Sequence, residues 1–371
     1  MKIAIIGSRG YPYVYSGYET FVKELSERLV RKGIDTTVYC HKNLFKKRPE
    51  KINNINLVYI AGFKSKYLSQ FFHSFFSFVH CIFNKPDLIL AVNVANGPFG
   101  IISKIFKIPT IINVDGLEWK RPKWKGLGSL YFKFAARTAT LFYDIIINDS
   151  EEMRKVYLNQ FKIDSKVISY GSPEITNHNN QLSNFGLNKL EYFLVVGRLI
   201  PDNNVDLIID GFLKSNTNKK LVIVGDVPYK DRFSKKIKKI SNKRIIMTGY
   251  INDSKVLYEL YVKSYAYIHG HEFGGTNPTM IKALAYGTAI LALDTPFNNE
   301  MLQKEKFGFY FSKDINSIKN LIELIDNDVL RIKHMKQNSH MGITKKYDWD
   351  CITESYIEVF NSLLFDKKRK G

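Results

Sequence analysis

The sequence His269-Gly270-His271-Glu272-Phe273-Gly274-Gly275-Thr276-Asn277-Pro278 joins an apolar run to a helical one. The residues just before it, 265–268, are aromatic and β-branched, which is typical of a buried parallel strand. Two adjacent glycines allow a tight turn, after which Asn277 can cap a helix and Pro278 suits its first position. Such a helix presents free backbone N–H groups at its positive end. The stretch predicts an anion site at the end of a strand, with an ordinary strand-to-helix turn as the alternative.

The bulk composition limits the class of protein. A chain of 371 residues is long for a single core, and 45% apolar residues is ordinary for a globular protein. Three widely spaced cysteines fit a reducing cytosol. A strand is predicted from Lys2 onward, so no signal peptide is expected, and no run of residues reaches the length of a transmembrane helix.

The formal net charge of +20 is the strongest bulk signal, and the surplus of basic residues is larger in the first half of the chain. Such a charge favours an anionic partner, which is a nucleic acid, an acidic lipid or a phosphorylated substrate. Simple solubility is the alternative interpretation. Nucleic-acid binding is the weakest of the three partners, because the basic residues do not form one stripe with interleaved aromatics.

A second glycine loop, Gly7-Ser8-Arg9-Gly10, follows the first predicted strand, Ile3–Ile6. Ser16 and Glu19 then have the spacing of a capping box at the start of a helix that Gly33 closes. The carboxyl end of such a strand is where open α/β sheets bind ligands. The glycine spacing is neither that of a dinucleotide fingerprint nor that of a P-loop.

A third polar stretch, residues 114–125, leaves the predicted strand Thr110–Asn113. It carries two carboxylates, two tryptophans and four basic residues, which is a poor composition for packing alone. We therefore predict a polar site that includes Asp115 and Glu118.

The segment from Gly62 to Lys85 contains seven phenylalanines and has basic residues near both ends, namely Lys64, Lys66 and Lys85. One interpretation is a core helix beneath the sheet. The other is an amphipathic helix that touches an acidic membrane surface, where each flanking lysine adds roughly 1 kcal/mol.

The α/β pattern lapses into an asparagine-rich linker around residues 172–190 and then starts again. We predict a first domain over residues 1–180, a second over 181–345, and a terminal helix with a basic tail over 346–371. Asp348 and Asp350 resemble a metal motif but lie where helix capping is expected. His269 and His271 lack an evident third ligand, so no metal site is predicted.

The chain resembles GT-B glycosyltransferases in several stretches taken together. These are the loops at 7–10 and 16–22, residues 114–121, Val196-Gly197-Arg198-Leu199-Ile200-Pro201, and residues 269–278. The resemblance is to family 4, and within it to the rhamnosyltransferase-like subgroup that serves bacterial surface polysaccharide synthesis. It covers nearly the whole chain. It implies an α/β fold with two Rossmann-like domains facing a central cleft and a C-terminal helix that crosses back.

The resemblance also implies roles for particular residues. Arg198 and the 274–277 loop match the groups that bind the donor diphosphate, without a metal ion. The full implied donor set is Gly10, Gly17, Arg198, Asn204, Gly274, Gly275, Thr276, Asn277, Lys282 and Glu300. The implied acceptor set is Arg9, Glu19, Trp119 and Arg121, and the implied catalytic candidates are Asp115 and Glu118, which would orient the acceptor hydroxyl.

Two positions depart from the family pattern. Many members carry two glutamates eight positions apart, where this chain has Gly274 and Lys282. The family's second diphosphate cation, a lysine, is Asn204 here. Lys282 thus replaces a glutamate that grips the ribose, and one hypothesis is that it restores the missing positive charge.

These expectations lead to two functional hypotheses. The first is a retaining, metal-independent hexosyltransferase that extends a lipid-linked oligosaccharide of a capsule or O-antigen, using a dTDP- or UDP-linked sugar such as rhamnose and no cofactor. It would be cytoplasmic, peripheral at the inner face of the cell membrane. The second is a degenerate, non-catalytic GT-B subunit that binds another transferase, as the departures at Asn204 and Lys282 would allow.

Overall fold

The computed structural model describes residues 1–13, 17–62, 68–122, 124, 126–174, 182–227 and 231–370. Their contacts divide the chain into two compact units. The first contains Met1–Lys120, Trp124–Gly171 and Lys345–Gly371, and the second contains Arg121–Lys123 and Ser172–Thr344. Each unit has its own sheet of mainly parallel strands, so the predicted pair of α/β domains is confirmed.

The first unit is built on an eight-stranded sheet with the order β3-β4-β2-β1-β5-β6-β7-β8. All neighbours are parallel except β3 and β4. Its strands are β1 (Lys2–Ile6), β2 (Asp35–His41), β3 (Lys51–Ile52), β4 (Ile55–Ile60), β5 (Leu88–Val92), β6 (Thr110–Val114), β7 (Ile145–Asn148) and β8 (Lys166–Val167). Its helices up to the linker are α1 (Gly17–Arg31), α2 (Leu68–Asn84), α3 (Gly100–Ile105), α4 (Leu127–Phe142) and α5 (Glu151–Phe161).

The second unit is built on a six-stranded parallel sheet with the order β11-β10-β9-β12-β13-β14. Its strands are β9 (Tyr192–Val196), β10 (Lys220–Val224), β11 (Ile245–Gly249), β12 (Ala266–His269), β13 (Ile290–Leu293) and β14 (Phe309–Phe311). Its helices are α6 (Val205–Lys214), α7 (Arg232–Lys238), α8 (Ser254–Lys263), α9 (Pro278–Ala285), α10 (Pro296–Leu302), α11 (Ile315–Asp326) and α12 (Val329–Asn338). Buried side chains such as Phe193, Ile208 and Phe212 form its core between sheet and helices.

The last helix, α13 (Trp349–Lys370), belongs to the first unit and not to the second. Arg28 of α1 donates from Nε to Asp350 at 3.0 Å, and Lys32 pairs with Glu354. The Asp348 carboxylate caps α13 by accepting from the Cys351 N–H at 2.8 Å, so the predicted cap at the start of this helix is confirmed. The helix runs to Lys370 and so includes the residues predicted as a basic tail.

The strands predicted at Ile3–Ile6, Thr110–Asn113 and 265–268 lie within one residue of β1, β6 and β12, because buried parallel strands are continuous apolar runs. The sequence did not predict β14, which has only three residues, or α11 and α12, whose apolar residues are interrupted by charged ones. The predicted Ser16 cap, the lysines at 64, 66, 123 and 125, and the linker residues 177–180 lie outside the described residues.

Candidate functional site

In the second unit, residues 270–277 of the glycine stretch 269–278 form the loop between β12 and α9. Asn277 caps α9, since its side chain accepts from the Thr279 N–H at 3.0 Å, and Pro278 occupies the first turn as predicted. Gly274 has a φ of +156°, a conformation that L side chains rarely adopt. The loop therefore needs glycine at 274 for its backbone path.

The backbone N–H groups of Gly274 and Gly275 make no hydrogen bond with other described residues. Both glycines are buried, and Thr276 beside them is 5% exposed. Buried N–H groups in folded proteins are nearly always paired, so a pair left open at a helix start indicates a ligand. An anion suits this place, because the helix end is positive.

Arg198 follows β9 and is half-buried. Its backbone carbonyl accepts from the Asn203 side chain at 2.7 Å, which fixes the turn. No carboxylate pairs with its guanidinium in the part of the chain that the structure describes. The nearby charges of Arg121 and Arg198 add to burial in holding the pKa of His271 well below its usual value. Arg198 is therefore close enough to the glycine loop for its charge to act on His271.

His271 and its neighbours form a polar support for this loop. His271 Nδ1 lies 2.8 Å from Asn203 Oδ1, and the Asn298 amide donates to the His271 carbonyl at 3.2 Å. Burial lowers the pKa of His269 to about 3, so this ring is neutral at physiological pH. Sequence reasoning did not identify Asn203 or Asn298, because their partners lie on other loops.

Asn204, which the sequence predicts to contact the donor, supports the backbone at the start of the glycine stretch. Its side chain is 5% exposed and donates to the Gly270 carbonyl at 2.8 Å. Its backbone φ of 49° is left-handed, which asparagine tolerates better than most residues. Asn204 thus tethers the exit of β12 at the residue where the glycine stretch begins.

Lys282 lies on α9, half-buried, and Glu300 lies half-buried on α10. Burial lowers the pKa of Lys282 from its ordinary value. No acidic partner pairs with Lys282 among the described residues. Among the described residues of the second unit, Arg198 and Lys282 are therefore both half-buried cations without an acidic partner.

In the first unit, Asp115 follows β6 and is held by two tyrosines that the sequence did not single out. The Tyr170 hydroxyl donates to Asp115 Oδ2 at 3.0 Å, and the Tyr18 hydroxyl also bonds to this carboxylate. Burial, with the Asp115 charge as the next contribution, keeps the pKa of each tyrosine well above its usual value. Both therefore remain hydroxyl donors, and they fix a half-buried carboxylate at the end of a strand.

Glu118 is 8% exposed and accepts from the Trp124 indole N–H at 2.7 Å. Trp119 lies beside it with its ring edge on Tyr157 and Phe161, at centroid distances of 6.4 Å and 5.9 Å. Trp119 is thus mainly a packing residue. Asp115 and Glu118 both lie at the exit of β6, and both take hydrogen bonds from aromatic side chains.

The glycine loop after β1 is held by the helix that follows it. The Arg9 N–H donates to Glu19 Oε1 at 3.2 Å, and Glu19 is 4% exposed. Gly10 has a φ of +118°, and a Cβ there would lie 2.7 Å from Cys40 Sγ. Gly17 is the first residue of α1. Glu19 therefore positions the loop, whereas Arg9 is half-buried at its surface.

Arg121, predicted to bind an acceptor beside Asp115 and Glu118, belongs instead to the second unit. Its Nε donates to Asp202 Oδ2 at 2.6 Å, and the two residues are 8% and 0% exposed. A buried carboxylate needs such a partner. The acceptor role of Arg121 stays a prediction, and no local pattern linked Arg121 to Asp202, which is 81 positions away.

No helix in the described ranges is long and apolar enough to cross a membrane. Among the same residues, no three His, Cys, Asp or Glu side chains gather as ligands for a metal ion.

Two protein families match the chain, one for each half. Residues 15–171 match the model described as Glycosyltransferase Family 4, and residues 179–341 match the model described as Glycosyl transferases group 1. Together the two models cover most of the sequence. They support the predicted resemblance to family 4 GT-B glycosyltransferases as a family.

Two curated relatives are similar in sequence. One is the N-acetylgalactosamine-N,N'-diacetylbacillosaminyl-diphospho-undecaprenol 4-alpha-N-acetylgalactosaminyltransferase of Campylobacter jejuni, 25% identical over 51% of this chain and 52% of that protein. The match thus spans about half the length of that relative. The other is the alpha-monoglucosyldiacylglycerol synthase of Streptococcus pneumoniae, 24% identical over 85% of this chain and 76% of that protein.

Solved structures share the fold over nearly the whole chain. The sucrose-phosphate synthase of Thermosynechococcus elongatus superposes with a TM-score of 0.82 at 15% identity, covering 98% of this chain and 99% of that one. HepE of Anabaena in complex with UDP-glucose superposes with a TM-score of 0.75 at 15% identity, covering 97% and 99%. The predicted fold class, two Rossmann-like domains of the GT-B type with a C-terminal helix, is confirmed.

Proposed function

Because the chain belongs to the glycosyltransferases that join a family 4 domain to a group 1 domain, we propose that it transfers a sugar from a nucleotide-diphosphate donor to a growing, lipid-linked polysaccharide. The donor binds to the second unit, and the acceptor hydroxyl is oriented by the first. The sugar keeps its anomeric configuration, and no metal ion takes part.

The open anion site at the start of α9 is the observation that carries this proposal. Two unbonded N–H groups and the unpaired Arg198 guanidinium suit the diphosphate of a donor. An arginine can bind two phosphate oxygens at once, and donors fixed in advance stabilise the charge that develops on the leaving diphosphate. Complexes of HepE with UDP and with UDP-glucose have this overall fold, so a UDP- or dTDP-linked sugar is the donor class we propose.

The acceptor is argued from Asp115 and from the two relatives. Asp115 is a carboxylate fixed by two tyrosine hydroxyls, which can accept a hydrogen bond from an acceptor hydroxyl and turn it toward the donor. The Campylobacter relative is named for a diphospho-undecaprenol acceptor, and the Streptococcus relative for a glucosylated diacylglycerol. A lipid-linked acceptor also agrees with the net charge of +20, which favours acidic lipid.

We assign the product to a bacterial surface polysaccharide, either a capsule or an O-antigen, with rhamnose as one candidate sugar. The resemblance of the 269–278 stretch to the rhamnosyltransferase-like subgroup supports this assignment. The enzyme would then act as a peripheral protein at the cytoplasmic face of the membrane.

A non-catalytic subunit is the second candidate, favoured by the departures at Asn204 and Lys282. The enzyme should bind a nucleotide-sugar donor, whereas the non-catalytic subunit should bind none. Saturation-transfer NMR and thermal shift with a panel of UDP- and dTDP-sugars would test this difference. We expect at least one donor to bind and to raise the melting temperature, because a ligand that binds only the folded state stabilises it. If no nucleotide sugar of the panel bound to the protein, the hypothesis of a non-catalytic subunit would replace that of an enzyme.

Lys282 offers a sharper test of donor recognition. We propose that its ammonium supplies part of the positive charge that Asn204 does not, so Lys282→Glu should weaken donor binding by about tenfold or more. The measurement is the dissociation constant of the best donor from the panel by calorimetry. Lys282→Gln removes the charge without reversing it. Its donor dissociation constant should therefore lie between those of the unaltered protein and Lys282→Glu. Tighter donor binding by Lys282→Glu would show that the glutamate of other family members, rather than a cation, belongs here.

A further inference from the structure

Helices α2, α3 and α4 lie together on one face of the sheet in the first unit. The connections β4 to β5, β5 to β6 and β6 to β7 all step across the sheet in one direction, whereas β1 to β2 steps in the other. Since parallel crossovers are right-handed, the first three place their helices on one face and α1 on the opposite face. The α1 face is covered by α13, through contacts such as Arg28 to Asp350. We call the exposed side of α2, α3 and α4 the helical face.

The α2 part of the helical face exposes a phenylalanine stripe. Phe71 and Phe75 are each 39% exposed, Phe76 is 42% exposed, and Phe83 is 79% exposed. These residues recur at helical spacing, while Phe78 and Cys81 on the other side of α2 are fully buried. Helix α2 is therefore amphipathic, because one side packs on the sheet and the other remains apolar and exposed.

The stripe continues onto the neighbouring helices. Ile105 of α3 is 69% exposed, and Phe106 directly after it is 55% exposed. On α4, Leu127, Leu130 and Phe134 are 85%, 64% and 57% exposed. α3 contacts both α2 and α4, so the three helices form one continuous layer. Single exposed apolar residues are ordinary, but a layer of them marks an interaction surface.

The charges of the helical face indicate what covers it. The three helices contain no Asp or Glu, and their charged residues are Lys104, Lys133 and Arg137, with Lys107 just beyond α3. The basic tail of α13 adds to the edge of this layer, because Lys367 Nζ lies 2.8 Å from Asp144, two residues after α4 ends. A second copy of this chain would bring like charges together. Exposed apolar side chains on helices whose only charged residues are cations suit the headgroup region of an acidic bilayer.

We propose that the helical face docks on the surface of an acidic lipid bilayer, with α2, α3 and α4 lying along it. The phenylalanine and leucine side chains enter the boundary between headgroups and acyl chains, and the lysines and arginine contact lipid phosphates. This inference rests on the proposed lipid-linked acceptor and deepens it, since it names the surface by which the enzyme reaches the acceptor.

Flotation of the full-length protein with vesicles tests the proposal. One set of vesicles is phosphatidylcholine alone, and the other contains phosphatidylglycerol as well. We expect the protein to float with the acidic set, less so at high salt, and to remain largely unbound with the neutral set. The double variants Ile105→Glu/Leu130→Glu and Lys107→Glu/Lys133→Glu should each lower the partition coefficient on acidic vesicles by about tenfold or more.

Matched variants in the second unit show whether a loss of flotation is specific to the helical face or follows from any added negative charge. Leu324→Glu/Leu330→Glu alters two leucines that are 55% and 79% exposed on α11 and α12. Lys235→Glu/Lys239→Glu removes the same charge at α7. Both pairs should float like the unaltered protein. The proposal is overturned if the variants of the helical face float normally, or if the matched pairs lose flotation equally.

The same proteins also show which of the two proposals fails. Thermal shift by the nucleotide-sugar donor should be unchanged in every variant of the helical face, because none of the altered residues belongs to the proposed donor set. A protein that binds donor but does not float would overturn the membrane surface and leave the proposed function standing. A protein that floats but binds no donor would overturn the proposed function and support the membrane surface.

Discussion

Arg198→Ala should lower kcat/KM for sugar transfer by about a hundredfold or more, with weaker binding of the nucleoside diphosphate product. The guanidinium has no acidic partner among the described residues, so its charge is available to the donor. Loss of one fixed donor to a developing negative charge costs about 2.7–4 kcal/mol in other enzymes. Steady-state kinetics and product calorimetry measure the two effects.

Two further variants make this result specific. Arg198→Lys keeps the charge but not the planar pair of donors, so it should recover only part of the activity. Arg232→Ala removes an exposed arginine from the same unit and should leave both quantities unchanged. The fold should persist in Arg198→Ala, because the bond from Asn203 goes to the backbone carbonyl of residue 198 and survives the substitution. Activity within a few fold of the unaltered enzyme would remove Arg198 from the donor site.

Asp115→Asn should lower kcat by about a hundredfold or more and leave donor binding unchanged. The substitution keeps an oxygen that can accept from the Tyr18 and Tyr170 hydroxyls, but it removes the negative charge that orients the acceptor hydroxyl. The measurements are kcat with saturating donor, the donor dissociation constant and the melting temperature.

The control for this substitution is Asp366→Asn, which neutralises an exposed carboxylate on α13 in the same unit. It should behave like the unaltered enzyme. Tyr170→Phe, which keeps the Asp115 charge but removes one hydrogen bond at 3.0 Å, should have an intermediate kcat. Equal loss of donor binding and of kcat in Asp115→Asn would argue that this carboxylate supports the fold rather than the acceptor.

The glycine loop between β12 and α9 was largely predictable from sequence because its signals are local. Asn277 and Pro278 mark the start of α9, and the apolar run before His269 marks β12, although that strand begins at Ala266, a little later than expected. A glycine with a φ of +156° at 274 is likewise a local requirement.

The residues that the sequence missed are those that act across the fold. Tyr170 reaches Asp115 from 55 positions away, and Arg121 reaches Asp202 from 81 positions away. Neither pair has a spacing that a helix or strand repeats, so only the three-dimensional arrangement reveals it.

The proposed sugar transfer is tested most directly by measuring the release of nucleoside diphosphate by the purified full-length protein. The release is measured for each UDP- and dTDP-sugar, with and without a lipid-diphosphate-linked oligosaccharide. We predict that one donor gives release that depends on the acceptor, with a glycosylated lipid product, and that Arg198→Ala abolishes most of it. Release from no donor, or release that ignores both the acceptor and Arg198, would contradict the account.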